Sequence, residues 1–188
     1  VSARMFSDRL FNTDGPSNQE GLKSHYLSNG CTYIMRSGRE YHDIFPVWDW
    51  WKIPGTTVQL TPELAGKVNF KGTRPFAGGV SDGRYGCAAF DLEQSGLFAR
   101  KAWFFFDDEF VCLGAGIRCN TRNPVITTLN QCFLNGEVVV SSNGSSRKIP
   151  IGDRALERPA WVYHDSIAYV FPQPLRVHLA NEPHTGSW

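Results

Sequence analysis

Short runs of alternating apolar and polar residues, broken by glycine, proline, asparagine and aspartate, fill this chain from end to end. Half-apolar runs at 21–27 and 32–36 flank Ser28-Asn29-Gly30, and Asn-Gly between such runs predicts a hairpin. A second hairpin is predicted where Asn135-Gly136 turns 127–134 into 137–141. Between them, 85–91 and 98–106 predict two strands across the polar stretch 92–96. Because Ala102-Trp103-Phe104-Phe105-Phe106 is apolar at both parities, that strand is predicted to be covered on both faces. Asp107-Asp108 turns it back into a strand over 109–113. Runs 161–163 and 167–171 pair across His164-Asp165-Ser166, and 175–179 gives a further strand. Only 61–66, which starts Thr-Pro-Glu, predicts a short helix. Strands at this spacing, among 18 glycines and 11 prolines, predict an all-β fold, a large antiparallel β-sandwich with Gly/Pro/Asn-rich loops. No repeat or low-complexity linker divides it, so residues 1–188 read as a single domain.

One stretch departs from this rhythm. Trp48, Trp50 and Trp51 stand within four positions, between Pro46 and Pro54, with Asp49 and Lys52 interleaved. Three indoles are costly to leave in water. Either they anchor a core where a strand turns into a loop, which is the favoured reading, or some of them form an exposed platform for a flat ligand such as a sugar.

Charge narrows the partners. With 19 lysines and arginines against 18 acids, the net charge is +1, so no global field points to nucleic acid or to an anionic membrane. No apolar run approaches the roughly 20 residues that span a bilayer. The N-terminus lacks a signal-peptide profile and an initiator methionine, so the chain reads as a mature or excised piece. Five cysteines, widely spaced and without a CxxC pair, give no zinc or redox motif and no disulfide framework; most read as small buried apolar groups. A secreted or periplasmic location remains compatible with them.

Candidate chemistry is sparse. Asp107, Asp108 and Glu109 are consecutive and point in different directions, which suits a solvated turn better than a hard cation. Adjacent turn residues such as His164-Asp165-Ser166 do not make a nucleophilic triad. Gly78-Gly79-Val80-Ser81-Asp82-Gly83 lacks the context and lysine of a phosphate loop, and reads as a tight loop. No metal or cofactor is expected. Bases gather at Lys67, Lys71 and Arg74, and again at Arg118, Arg122, Arg147 and Lys148. Two such groups on one edge would form a groove for an anionic sugar, with Lys71 and Arg74 as candidate ligands; scattered solvated charge is the alternative.

Several stretches together resemble one family, the polysaccharide lyases of family 8, which cleave chondroitin and hyaluronan. They include Asn18-Gln19-Glu20-Gly21-Leu22-Lys23, Phe45-Pro46-Val47-Trp48-Asp49-Trp50 with Lys52-Ile53-Pro54-Gly55-Thr56-Thr57, and Gly78-Gly79-Val80-Ser81-Asp82-Gly83-Arg84-Tyr85-Gly86. They continue through Lys101-Ala102-Trp103-Phe104-Phe105-Phe106-Asp107-Asp108-Glu109, Cys112-Leu113-Gly114-Ala115-Gly116-Ile117, Thr127-Thr128-Leu129-Asn130-Gln131 and Trp161-Val162-Tyr163-His164-Asp165-Ser166. They run in order over nearly the whole chain. The pattern is closer to the chondroitin-AC-type branch than to the hyaluronate branch.

The resemblance implies a supersandwich-like central β-domain, placed between a catalytic α/α toroid and a smaller C-terminal β-domain, both absent from this chain. It implies β-elimination across a 4-linked uronic acid, in which donors neutralise the carboxylate, a base removes the C5 proton and an acid protonates the leaving oxygen. In the family the toroid supplies the histidine, tyrosine and arginine, so the chain alone is expected to be inactive. It is expected to line the substrate cleft and buttress the toroid. From the central domain come an asparagine, which falls on Asn18, and a glutamate three positions earlier. That earlier position is Gly15, with Asp14 one step further. Asp14 takes the glutamate's place if the loop carrying Pro16 has gained one residue; the alternative is an ordinary turn at Asp14-Gly15-Pro16. Gly21 stands where the family has a second asparagine, and Ser24 where a glycine is common. The implied catalytic positions are Asp14 and Asn18. Glu20, Trp48, Trp50, Trp51, Lys71 and Arg74 are the candidate substrate-binding positions, and the partner is an anionic, uronate-containing polysaccharide. A stand-alone carbohydrate-binding module and a purely structural scaffold are the alternatives.

Overall fold

The computed structural model describes residues 1–13, 21, 23–64, 66 and 69–187. The chain divides into two compact units, Val1–Gln131 and Cys132–Trp188. Nearly everything ordered in them is antiparallel β.

In the first unit, β1 (Ser2–Ala3) pairs with β2 (Thr32–Tyr33), and β3 (Thr57–Gln59) is later paired by a strand from further along the chain. Four longer strands follow: β4 (Ala77–Ser81), β5 (Gly86–Gln94), β6 (Leu97–Phe105) and β7 (Phe110–Cys119), paired in that order as a meander. Last comes β8 (Val125–Thr127), the partner of β3. Alternation along β5 and β6 turns Phe90, Leu92, Leu97, Ala99 and Trp103 to one side, where Phe6 joins them in a core. A second core gathers Tyr26, Cys31, Ile44, Trp48, Trp50, Ile53 and Val58. Its residues come mostly from irregular chain.

The other parity of the meander is open. Val80, Cys87, Phe104 and Val111 form one cross-strand row, and Val80 is 70% exposed, Phe104 37% and Val111 41%. The expectation that 102–106 would be covered on both faces therefore fails within this chain. Trp103 is buried on the inner side, while Phe104 is exposed on the other.

The second unit contains β9 (Val138–Ser142), β10 (Ser145–Ile149), β11 (Gly152–Glu157), β12 (Trp161–His164), β13 (Ile167–Val170) and β14 (Arg176–Asn181). One sheet runs β10-β9-β12-β13 and the other pairs β11 with β14. Val138, Val140, Ile149, Leu156 and Val162 form their core.

Other expectations change at the level of turns. Asn29-Gly30 closes no hairpin: it follows a 3-10 turn at Ser24–Tyr26, and β2 pairs back to β1 instead. The reason is polar burial, because the Asn29 side chain donates to Gln94 Oε1 at 2.6 Å and to the Thr57 carbonyl at 3.3 Å. Asn135-Gly136 likewise precedes a strand whose partners are β10 and β12, so 127–134 is not its hairpin mate. Residues 61–64 bend rather than coil, with Thr61 Oγ1 donating to the Glu63 carbonyl at 2.6 Å. Gly78-Gly79-Val80-Ser81 is strand, not loop. All five cysteines are free and only Cys31 is buried.

Candidate functional site

The tryptophan segment is built by side chains that take the place of a ladder. Pro46 begins the 3-10 turn Phe45–Val47, after which the chain turns extended at Trp48. Gln131 then supplies both donor and acceptor: its Oε1 accepts the Asp49 N–H at 2.8 Å, and its Nε2 donates to the carbonyls of Asp49 at 3.1 Å and Lys52 at 2.8 Å. Asp49 closes the loop on itself, accepting the Trp51 N–H at 3.1 Å and pairing with Lys52 at 2.8 Å. Tyr41 fixes the approach by donating to Asn130 Oδ1 at 2.8 Å and accepting the Ile34 N–H at 3.2 Å.

This scaffold sorts the three indoles. Trp48 and Trp50 are 6% and 7% exposed and meet edge to face at 5.5 Å, with Phe45 against both and Tyr33 stacked on Trp48. They are core rings. Trp51 is half-buried, its Nε1 donating to Thr61 Oγ1 at 3.4 Å. Of the three, it alone keeps substantial surface.

The basic candidates fall elsewhere in the same unit. Lys71 forms an isolated bridge with Phe11 and holds its ammonium 5.3 Å from that ring's centre. Arg74 is paired with Glu93 at 2.5 Å and lies against Phe98, while Arg118 covers the same ring at 4.7 Å. One arginine from each basic group of the sequence thus meets at a single aromatic. Arg147 and Lys148 belong to β10 of the other unit, where Lys148 pairs with Glu137. Asp14, Asn18, Glu20 and Lys67 lie outside the described residues. Just before that stretch, Asn12 is fully buried, accepting the Phe70 N–H at 2.9 Å and donating to the His25 carbonyl at 3.2 Å.

The remaining acids and histidines are structural in their bonding. Arg84 grips Asp107 with two bonds and Tyr85 donates a third, which holds the Asp107 carboxyl below its usual range. His164 precedes a tight turn at Asp165-Ser166, both in the left-handed region. Its Nε2 accepts the Asn135 N–H at 3.0 Å, and burial lowers its pKa. Among the described residues, no three potential ligands converge for a metal ion.

Three of the groups with large shifts lie near the junction of β2, β6 and Gly55. Burial pushes the Cys31 thiol up to about 11 and raises Tyr33 as well. Burial also lowers Lys101 to about 7. The sequence held a signal for Lys101: it occupies an inward parity of a strand whose other inward positions are Leu97, Ala99 and Trp103. Gln131 carried no comparable mark.

Residues 1–188 match the family description polysaccharide lyase family 8, super-sandwich domain. The chain is 43% identical over 190 residues to a chondroitinase-AC of Pedobacter heparinus, covering 100% of this chain and 27% of that protein. It is 35% identical over 183 residues to a hyaluronate lyase of Thermasporomyces composti, covering 91% of this chain and 23% of the relative. A solved chondroitinase AC lyase, from a study of enzyme–oligosaccharide complexes, superposes with a TM-score of 0.89 at 41% identity, over 99% of this chain and 28% of that one. The chain spans about a quarter of the length of the curated relatives it matches.

Proposed function

The chain belongs to polysaccharide lyase family 8, and from that premise we propose that it is the central β-domain of a lyase cleaving chondroitin- or hyaluronan-type polysaccharides by β-elimination. The observation that carries the reading is the match over all 188 residues at about a quarter of the relatives' length. In this reading residues 1–188 act as one domain, inactive alone, and the α/α toroid of the same protein supplies the groups that take the C5 proton and neutralise the uronate. The domain lines one side of the cleft through Trp51, Lys71 and Arg74, with Asp14, Asn18 and Glu20 as the further candidates; Trp48 and Trp50 hold Trp51 in place. Trp51 supports this assignment, since a partly open indole suits the face of a sugar ring. The open row Val80, Phe104 and Val111 offers the toroid, or other parts of the same protein, an apolar bearing. In this reading the enzyme acts outside the cytoplasm, secreted or periplasmic.

The test is whether the full-length protein releases ultraviolet-absorbing unsaturated uronate products from chondroitin or hyaluronan. Release is expected, and this domain expressed alone is expected to release none. A full-length protein inert on every uronate-containing polysaccharide overturns the reading. One observation favours a purely structural role: two of the three clustered tryptophans are core rings. That reading expects no change in tryptophan fluorescence on adding saccharide.

A further inference from the structure

Lys101 is a buried lysine with unusual partners. It is 7% exposed. Its Nζ donates to the backbone carbonyls of Asn29, at 3.1 Å, and Gly55, and it lies 5.6 Å from the centre of the Trp103 ring. Burying an ammonium costs several kcal/mol, and two carbonyls with a ring face offset only part of it. A hydrophobic core alone would be better served by leucine or methionine.

The two carbonyls belong to separate segments. Asn29 and Gly30 follow the stretch that carries Asn18 and Glu20, and Gly55 follows the tryptophans. Gly30 is pressed against β6, and Gly55 against Thr32 and the Gly30 carbonyl. Gly30 has φ +92°, and a Cβ there would fall 2.6 Å from Lys101 Nζ and 3.1 Å from the Trp103 ring. Gly55 has φ +79°, and its Cβ would fall 2.5 Å from Thr32 Oγ1. Thr32 Oγ1 in turn accepts the Trp103 indole N–H at 2.9 Å and donates to the Gly30 carbonyl at 3.0 Å. The Asn29 carbonyl takes a second bond from the Thr57 N–H at 3.3 Å. Only glycine fits at both approach points.

We propose that Lys101 is a positioning residue for the lyase: from β6 it draws the Asn29-Gly30 segment and Gly55 to one point, fixing the end of the tryptophan segment against the start of β2. This rests on the reading of the chain as a lyase domain. Lys101 touches no substrate. It acts through the backbone at Gly55 that leads back to Trp51, and its burial is retained for geometry rather than for stability.

The test compares the full-length enzyme with its Lys101→Met and Gly30→Ala variants, measuring kcat, KM and thermal midpoint for chondroitin cleavage. Methionine keeps the stem and removes both bonds and the charge. The Lys101→Met enzyme is expected to keep or raise its thermal midpoint while KM rises roughly ten- to a hundredfold, the scale of a misplacement near 1 Å. Gly30→Ala disturbs the junction from the other side and should raise KM in the same direction. A parent that is active while Lys101→Met keeps its KM, or loses only stability, overturns the proposal and leaves the lyase reading standing. A parent that releases no unsaturated product overturns both.

Discussion

The tryptophan segment with its surroundings, and the hairpins of residues 132–187, solve the same problem by different means. Among the described residues, every buried polar or charged side chain except Ser141 lies in Val1–Gln131. There, irregular backbone is satisfied by Gln131, Asn12, Thr32 and Lys101. In the second unit the ladders β9–β10, β9–β12, β12–β13 and β11–β14 satisfy the backbone, and the core is aliphatic. Ladders hold a backbone at low risk but leave its path regular. Side-chain staples permit an arbitrary path at the cost of buried polar groups that each must keep a partner. In the proposed function the tryptophan segment presents Trp51 at one place, which the second method serves.

The largest effect that would break this contrast is at the shared wall of the junction. Trp103→Ala removes a fully buried indole, its stacking on Phe90 and the bond to Thr32. It is expected to destabilise the protein by about 3–5 kcal/mol in urea unfolding. Next comes Gln131→Ala, which strips partners from the Asp49 N–H and from two carbonyls, for an expected loss of about 1–3 kcal/mol. Its counterpart among the hairpins, Lys148→Ala, breaks an exposed pair with Glu137 and should stay within about 0.5 kcal/mol. Equal losses at the two positions would erase the distinction.

A further effect is in pH. Lys101 titrates near 7 in the fold against 10.5 as an ordinary lysine. Above pH 7 the unfolded chain therefore holds a proton that the folded chain has released, and stability rises with pH; below 7 both hold it, the slope vanishes and the cost of burying the ammonium is carried in full. The slope is at most about 1.4 kcal/mol per pH unit. It is best measured between pH 7 and 9, because above 9 the raised Cys31 thiol begins to act in the opposite sense. Lys101→Met should flatten the profile in that window. An unchanged slope would mean that the ammonium is not buried as described.

Much of the fold was legible where local pattern and ladder agree. The strands around Trp103, the turn at Asp107-Asp108 and the hairpin across Asp165-Ser166 follow from alternation and turn chemistry. Asn29-Gly30 misleads because its meaning is tertiary: the amide binds Gln94, 65 residues away, and pattern rules count only neighbours. Sequence also could not tell which face of 102–106 this chain leaves open, because alternation gives parity and not what lies beyond it. At the site, the cluster of tryptophans announced a special segment, but which of them would be buried depended on Phe45, Tyr33 and Gln131 meeting there. Lys71 and Arg74 were visible as charge. Their placement on Phe11 and beside Phe98 was not.

In the proposed function the stapled segment meets the polysaccharide while the rings beneath it only hold it. The most direct measurement is the KM of full-length Trp51→Ala for chondroitin, beside that of the parent enzyme. A KM raised roughly tenfold or more, the scale of about 1–3 kcal/mol for losing a contact of one aromatic ring, is the result expected. A KM equal to the parent's, with activity otherwise intact, would contradict it and leave this segment a structural element alone.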